Sequence, residues 1–581
     1  MTSQTHRTHA PARAAGAAMA AIGVSILLTI TIGLLGPSAV VPALSGPSWQ
    51  PPYSLNAQPE PHLVIALAAL AIVLGGLGLL GALHTLGPPS SPPATSRSRL
   101  PDPRSLVLLG CLTAGILAFL PPSGSADHLN YAAYGRMVTL GLNPYTHGAI
   151  NLPGDPIADA VEKPWREEPS VYGPIATAVQ ALASWIGGDS LRLTIFILAL
   201  VNAAAFIATA LLIDRFTRHD PATRLRAALL WTVNPLLLYQ LVAGMHVDTL
   251  AIACMVAALL ARSRPVGAGV LLGLGVAIKV NAGLVALGPA WELRRRPARL
   301  ALMAGCAVAV VVVGYAIVGP EAIAPMTRTS KSISHASPWK LVQGWLQAIV
   351  GPGTAYRGEI QIGSLLLLAL IAWTLLRLAT RRALLGAHGG LPGARGRSPD
   401  AHGGLGSARG RSPDAHGGLR DADGRSPGAH GGLRGAHGGR CDAHGGRCDA
   451  DGGSPGGRGG SLGAGSGGEL EAPVVAVCLV VAYLFATPYI LPWYDGLAFG
   501  LLALVAASAL DRFVVVHLLV LSLAYLPARV QEVPVDLDWL GKVLRPQLAW
   551  ALLALTALLV MWAWRAAGPA RTPPASAAPP P

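Results

Sequence analysis

The chain has 581 residues, of which 52% are apolar and only 12% charged, about half the charged share of a soluble globular protein. With a mean hydropathy of +0.49, this excludes an ordinary soluble protein, and the spread of Leu, Val, Ala and Ile over many long runs excludes a wholly disordered or collagen-like chain. The formal net charge of +14 rests almost entirely on Arg, because Lys163, Lys279, Lys331, Lys340 and Lys542 are the only lysines. Together with abundant Ala, Gly and Pro, that bias points to a GC-rich coding sequence rather than a nucleic-acid surface, and no nucleic-acid partner is expected.

A membrane crossing takes about 20 apolar residues. Residues 1–16 read as a cytoplasmic tail holding Arg7 and Arg13, followed by an apolar run to Leu35. That run is longer than the roughly 7 to 15 residues of a signal-peptide core, so it reads as an uncleaved helix. Further runs start near Leu63, Ser105, Leu191, Leu225, Val247, Arg299, Ile360, Pro473, Leu497, Phe513 and Gln547, giving roughly twelve spans. The fold class predicted is an all-α polytopic membrane bundle, with membrane parts at 17–380 and 471–565.

Arginine placement orients the spans, because positive residues favour the cytoplasmic side. Arg97, Arg99 and Arg104 mark one inner loop, and Ser105–Leu120 then delivers the chain outside at Pro121. If Gly173–Ile186 crossed, Arg215, Arg218, Arg224 and Arg226 would face outward, so this segment is predicted to lie at or dip into the outer face. Val266–Trp291 is flanked on both sides by Arg, at 262 and 264 and at 294, 295, 296 and 299. It is predicted to return to the side it left, as two half-helices broken near Lys279, Val280 and Asn281. Broken backbone at that depth implies a protein-lined or wet cavity.

Residues 381–470 change to Gly, Arg, Asp, His, Ser and Pro. GRSPDAHGGL occurs twice at a fourteen-residue offset, around His402 and His416, and the unit later shortens to seven residues around His444. The unit has almost no apolar face to bury, so it reads as a disordered cytoplasmic linker. Its His residues with Cys441 and Cys448 lack the short paired spacings of zinc sites. Cys111, Cys254, Cys306 and Cys478 lie in apolar runs as small hydrophobes, and 566–581 reads as a disordered Pro/Ala tail.

This topology puts four polar loops on the outer face: 121–172 with SADHLNYAAYGRM and EKPWREEPSVYGP, the GMHVD turn at 244–248, the loop with SISHASPWK, and TPYILPWYDG at 487–496. Asp127 directly follows a span and opens a polar helical stretch holding Tyr131, Tyr134 and Arg136. It suits both a helix N-cap and a general base, which needs a carboxylate within hydrogen-bond reach of a hydroxyl.

Asp127 with YAAYGRM and LGLNPY (131–145), VYGP (171–174), NPLLL and AGMHVD (234–248), SPW (337–339) and LPWYD (491–495) together resemble the actinobacterial polyprenyl-phosphate-mannose-dependent alpha-1,6-mannosyltransferases of the GT-C superfamily. The resemblance covers about residues 20 to 565 and leaves out the repeat. It implies a polytopic plasma-membrane enzyme that takes mannose from a lipid-linked phosphate and adds it to a mannan or lipoglycan acceptor on the outer face. Asp127 matches the catalytic carboxylate of that scheme. Tyr131, Tyr134, Arg136, Tyr172, His246, Asp248, Trp339, Lys340, Trp493, Tyr494 and Asp495 are the expected substrate-binding residues. Where relatives carry His-Asn-Asp, this turn reads His246–Val247–Asp248.

A beta-linked donor and an alpha product require inversion, hence one in-line displacement with a base. The departing polyprenyl phosphate leaves ionised and needs a cation; Arg136, Lys163, Arg166, Arg328, Lys331, His335, Lys340 and Arg357 are the outer-face candidates. No cofactor or metal is expected. The Trp and Tyr residues are placed either to stack on sugars or to form an interfacial aromatic belt. The competing readings are a GT-C transferase of another lipid-linked sugar, such as arabinose or glucose, and a lipid-sugar transporter or flippase. The latter rests on Lys279 in the broken segment.

Overall fold

Helices begin where an apolar run follows a proline or a capping side chain, because proline is pre-set for the first turn and a cap satisfies its free N–H groups. Pro61, Pro103, Pro174, Pro221, Pro265, Pro297 and Pro338 each open a helix, and Glu60, Asp102, Ser190, Asp220, Asn234 and Ser337 accept first-turn N–H bonds. The computed structural model describes residues 5–86, 101–352, 355–389, 469–529 and 531–568. The His-Gly-Arg repeats with Cys441 and Cys448, Arg97, Arg99 and the Pro/Ala tail lie outside the described residues.

In chain order the helices are α1 (Thr5–Leu35), α2 (Pro61–Thr85), α3 (Pro103–Ala118), α4 (Asp127–Thr139), α5 (Pro174–Gly187) and α6 (Leu191–Thr217). There follow α7 (Pro221–Ala227), α8 (Pro235–Leu237), α9 (Asp248–Leu260), α10 (Pro265–Ile278), α11 (Leu287–Glu292), α12 (Pro297–Val318) and α13 (Ile323–Thr329). The rest are α14 (Pro338–Ile349), α15 (Arg357–Gly389), α16 (Ala472–Ala486), α17 (Asp495–Leu502), α18 (Leu510–Tyr525) and α19 (Arg545–Ala567). Among the described residues there is no β-strand, only an isolated bridge between Ser38 and Val41.

Seven described helical stretches are long and apolar enough to cross a membrane: Arg13–Leu35, Pro61–Thr85, Leu191–Thr217, Pro221–Ala243, Pro297–Val318, Arg357–Leu384 and Val535–Ala567. Four more apolar helices, α3, α9, α10 and α16, have 13 to 16 residues, shorter than the stretch of about 20 that a straight crossing takes. The roughly twelve apolar runs of the sequence thus resolve into helices of unequal length. On α12, Val308, Val312, Val313 and Ile317 are all exposed, a surface that only a lipid environment satisfies. The protein is a membrane-embedded helical bundle.

The predicted break within Val266–Trp291 is present: α10 ends at Ile278, Lys279 takes extended backbone (φ −149°, ψ 115°), and a 3-10 stretch Val280–Ala286 leads into α11. Gly173–Ile186 corresponds to α5, whose 14 residues span about 21 Å.

The bundle has two chemically distinct ends. At one, Arg224 pairs with Asp214, Arg262 with Glu292, and Arg294 and Arg295 with Glu469. There too Arg226 grips Asp511 through two bonds of 2.7 and 2.6 Å and donates a third to the Val505 carbonyl. That buried fork ties α7 to α18, which lie on opposite sides of the repeat in sequence; such a pair is costly to break from one side only. At the other end the polar loops meet. Ser123 N–H donates to the Ala243 carbonyl, Gly124 to Val40, Tyr53 to Phe119, and Ser334 to Pro488.

Candidate active site

The central stretch Pro221–Ala243 is buried from Leu225 onward and delivers the GMHVD turn to the polar end. Asn234 interrupts it, accepting from the N–H groups of Leu236 and Leu237, and π-helical turns at Ala228–Thr232 and Leu238–Ala243 flank the break. Such turns recur at functional sites because they re-aim side chains. The turn holds Met245 at φ +54°, a left-handed conformation that costs a non-glycine residue energy and is sustained by tight surroundings. His246, the next residue, is fully buried.

Asp127 is the first residue of α4, and the preceding Ala126 occupies the cap position without a side-chain cap bond. The carboxylate is therefore not consumed as an N-cap. The loop before it is pinned by the Ser123 and Gly124 bonds, and Gly124 sits at φ +78° against the Tyr239 ring. Ser125 Oγ accepts the Asp127 N–H at 3.1 Å. Burial pushes the Asp127 carboxyl up to about 6, with the Lys279 cation opposing and the Asp248 carboxylate adding to the rise. A base of that strength is ionised at neutral pH and still able to take up a proton.

His246 Nδ1 lies 3.6 Å from Asp127 Oδ2. Burial, then Lys279 and His128, hold its pKa well below the usual value, so the ring is neutral and the contact is not an ion pair. It stacks on Trp493 with centroids 3.6 Å apart and planes within 14°, and Trp493 meets the edge of Tyr525 at 5.1 Å. Beside them Lys279 Nζ donates to Asp248 Oδ1 at 2.6 Å and lies 4.1 Å above the Tyr494 ring and 5.9 Å from that of Tyr172. Tyr172 OH meets Tyr131 OH at 3.2 Å. One strict packing contact assembles this half: Gly173 N–H donates to the Ile278 carbonyl at 3.0 Å, and a Cβ on Gly173 would collide with the Ala277 carbonyl.

Four polar groups here are buried without a protein hydrogen-bond partner: both His246 nitrogens, Asp248 Oδ2 and Trp493 Nε1. Buried polar atoms are almost always satisfied, so this concentration marks a place where hydroxyl-bearing ligand or water is received. A small cavity of about 20 Å³, roughly one water in size, opens between Asp248, Lys279, Asn281, Tyr483 and Tyr494. Among the described residues no group of three His, Cys, Asp or Glu side chains is placed to hold a metal ion.

The structure therefore gathers Asp127, Tyr131, Tyr172, His246, Asp248, Trp493 and Tyr494 at one place. The other sequence candidates have partners of their own. Tyr134 donates to the Glu168 carbonyl at 3.0 Å. Arg136 is spent on Asp155 (2.8 Å) and Asp189 (2.6 Å), and Arg166 on Asp159. Asp495 is fully buried; its Oδ2 is bonded to His517 Nδ1 at 2.8 Å and its Oδ1 is left without a partner. Trp339 Nε1 donates to the Ala486 carbonyl at 2.7 Å, and Lys340 Nζ to Gln343 at 2.9 Å. Lys279, absent from the candidate binding residues, is central; a lysine inside an apolar run flanked by inner-face Arg was the available signal. Tyr525 had no sequence signal, being one aromatic within an apolar helix.

Fold and site together define a membrane-embedded helical protein with a carboxylate-bearing, ligand-receptive cleft at one end. Residues 20–295 match the family described as alpha-(1->6)-mannopyranosyltransferase, N-terminal domain. Homologues include alpha-(1->6)-mannopyranosyltransferase A of Corynebacterium glutamicum, 29% identical over 170 residues (29% of this chain, 34% of the relative). Alpha-(1->6)-mannopyranosyltransferase B of the same species is 26% identical over 196 residues (33% and 30%), and alpha-(1->6)-mannopyranosyltransferase A of Mycobacterium tuberculosis 29% over 171 (28% and 32%). The match thus spans about a third of each relative's length. No solved structure matches.

Proposed function

We propose that this chain is an inverting mannosyltransferase that uses polyprenyl-phosphate-mannose and extends a mannan or lipoglycan acceptor through an alpha-1,6 linkage, at the outer face of the plasma membrane. The observation that carries the reading is the Asp127 carboxylate, uncommitted to any cap, raised to about 6 and next to four unpartnered buried polar groups. Asp127 takes the proton from the acceptor hydroxyl as its oxygen bonds to the anomeric carbon, and the bond from that carbon to the phosphate oxygen breaks, the electron pair leaving with the phosphate. Proton removal of this kind contributes about 10² to 10⁴-fold. The neutral His246, flat against Trp493, orients the carboxylate and offers a hydrogen bond to a sugar hydroxyl; no step calls for a cofactor. The alpha-1,6 names of the relatives and the orientation derived from the Arg distribution support the product and the sidedness.

The broken helix at Lys279 and its buried charge pair favour a second reading, a lipid-sugar transporter. Membranes carrying Asp127→Asn separate the two. Loss of mannosyl transfer with lipid movement intact supports the transferase; unchanged transfer with impaired movement supports the transporter.

A further inference from the structure

A groove of about 430 Å³ runs along the outside of the bundle between α15 and α19, walled by Leu553, Ala557, Val560 and Trp564 with Leu367 opposite and Arg565 last along α19. From Leu553 to Arg565 it follows the helix for about 18 Å. The one hydroxyl in its wall, that of Thr556, donates to the Leu552 carbonyl of its own helix at 2.8 Å. The apolar wall therefore offers a sugar or a water almost nothing to bond, and suits a hydrocarbon chain. Two tryptophan pairs bracket the groove: Trp345 meets Trp550 at 5.5 Å between centroids before it begins, and Trp373 meets Trp564 at 5.4 Å at its far end. Tryptophan favours the two membrane interfaces, so the groove between the pairs lies at the depth of acyl chains.

The Trp564 end is the arginine-bearing end of the bundle. Trp562 packs on Phe513 with centroids 5.5 Å apart, and Phe513 lies two residues beyond the Asp511 that Arg226 grips. The orientation read from the arginines makes this the cytoplasmic side. Unpaired arginines are common there; Arg377 and Arg565 stand out because contacts hold them at the groove. The Arg377 guanidinium carbon lies 5.4 Å from the Trp373 ring centre and 5.9 Å from that of Trp564, while Arg565 is part of the wall. Neither has an ion-pair or side-chain hydrogen-bond partner among the described residues. A guanidinium lying over indole rings keeps the N–H donors of its rim free, and that planar fork matches a phosphate. Arg382 carries the same charge at the same end but sits over Trp562, 6.0 Å from its centre, and Trp562 is turned about 200° round α19 from Trp564.

We propose that the α15–α19 groove binds one anionic phospholipid of the cytoplasmic leaflet, an acyl chain lying along Leu553, Ala557 and Val560 and the phosphate on Arg377 and Arg565. Charge selects the occupant: two unpaired guanidinium groups at the mouth of an apolar groove favour an anionic head over a zwitterionic one, which brings a cation of its own. The lipid-linked donor of the proposed reaction is consumed at Asp127, at the opposite end of the bundle, so it is not the occupant. The site goes beyond the transferase reading and stands without it. Bound there, the lipid bridges α15, which precedes the repeat, and α19, which follows it, and by mass action it stabilises the folded chain.

The test uses the purified full chain, delipidated in zwitterionic detergent and titrated with phosphatidylglycerol or phosphatidylcholine at about 0.5 M salt, which screens attraction between exposed charges. Lipid retained through gel filtration is counted by its phosphorus. Saturation at one phosphatidylglycerol per chain is expected, with phosphatidylcholine held at least about tenfold more weakly. Arg377→Gln and Arg565→Gln should each weaken retention roughly ten- to hundredfold, and Ala557→Trp, which fills the groove, should abolish it. Arg382→Gln should stay within about twofold of the wild type, its charge being screened and its side chain away from the groove. Melts in lipid-free detergent verify folding, and the two arginine variants decide the matter if Ala557→Trp is unfolded. Equal retention of the two lipids overturns the proposal, as does a loss in Arg382→Gln equal to that in Arg377→Gln and Arg565→Gln, which would reduce the effect to general attraction by inner-face charge. Retention of polyprenyl phosphate in preference to phosphatidylglycerol overturns it as well.

Discussion

Asp127→Asn should move activity and stability in opposite directions. The carboxyl titrates near 6 in the folded chain against an ordinary 3.8, so the folded state binds the proton more tightly than the unfolded one. Stability therefore rises as pH falls from about 6 towards 4, and at pH 7 the ionised native state carries a cost. The full difference corresponds to about 3 kcal/mol, reduced because the side chain is 28% exposed; about 1 to 3 kcal/mol is a fair range. Asn removes that cost while keeping the shape, so the unfolding temperature in detergent at pH 7 should rise by a few degrees while transfer falls about 10² to 10⁴-fold. In the wild type, kcat/KM should fall about ninefold between pH 7 and pH 5, as the ionised fraction drops from about 90% to about 10%. The readouts are a pH series of mannosyl transfer and a melt followed by intrinsic fluorescence. A lower melting temperature for Asp127→Asn would make the carboxylate a structural partner, and a flat profile from pH 5 to 7 would remove it as the base.

Lys279→Met leaves Asp248 buried without its partner and takes away the cation that holds the Asp127 pKa down; the acid limb of the kcat/KM profile should shift to higher pH, with recovery in Lys279→Arg. Gly173→Ala drives a Cβ into the Ala277 carbonyl and should displace Tyr172 from Lys279, lowering kcat/KM at least about tenfold without unfolding the chain, as shown by an unchanged gel-filtration profile. Trp493→Ala removes the surface on which His246 lies and should cost about 3 to 5 kcal/mol of stability, measurable in detergent melts; an unchanged melt would show that the stack is not part of the packed core.

Much of the fold is legible in the chain because its governing signals are local. Apolar run length, proline at helix starts and Arg flanks are read without knowing the partners of any helix. The break at Lys279 was legible because Arg on both flanks required the segment to return, and the structure places it at that residue. What local signals miss is pairing across distance. Arg226 reads as a topology marker, yet its guanidinium is committed to Asp511, 285 residues away. Arg136 and Asp495 read as ligands from their motifs; the motifs do not show that Arg136 pairs with Asp155, or that His517 takes one oxygen of Asp495 and leaves the other unpartnered. The stack of His246 on Trp493 joins two motifs whose common site no spacing rule predicts.

The central claim is tested most directly by one assay: purified chain, radiolabelled polyprenyl-phosphate-mannose and a short alpha-mannoside acceptor, wild type against Asp127→Asn, with the product's linkage determined. The account predicts an alpha-1,6-mannosylated product from the wild type and at least about a hundredfold slower formation by the variant. Equal rates for the two proteins, or transfer only from a different lipid-linked sugar, would contradict it.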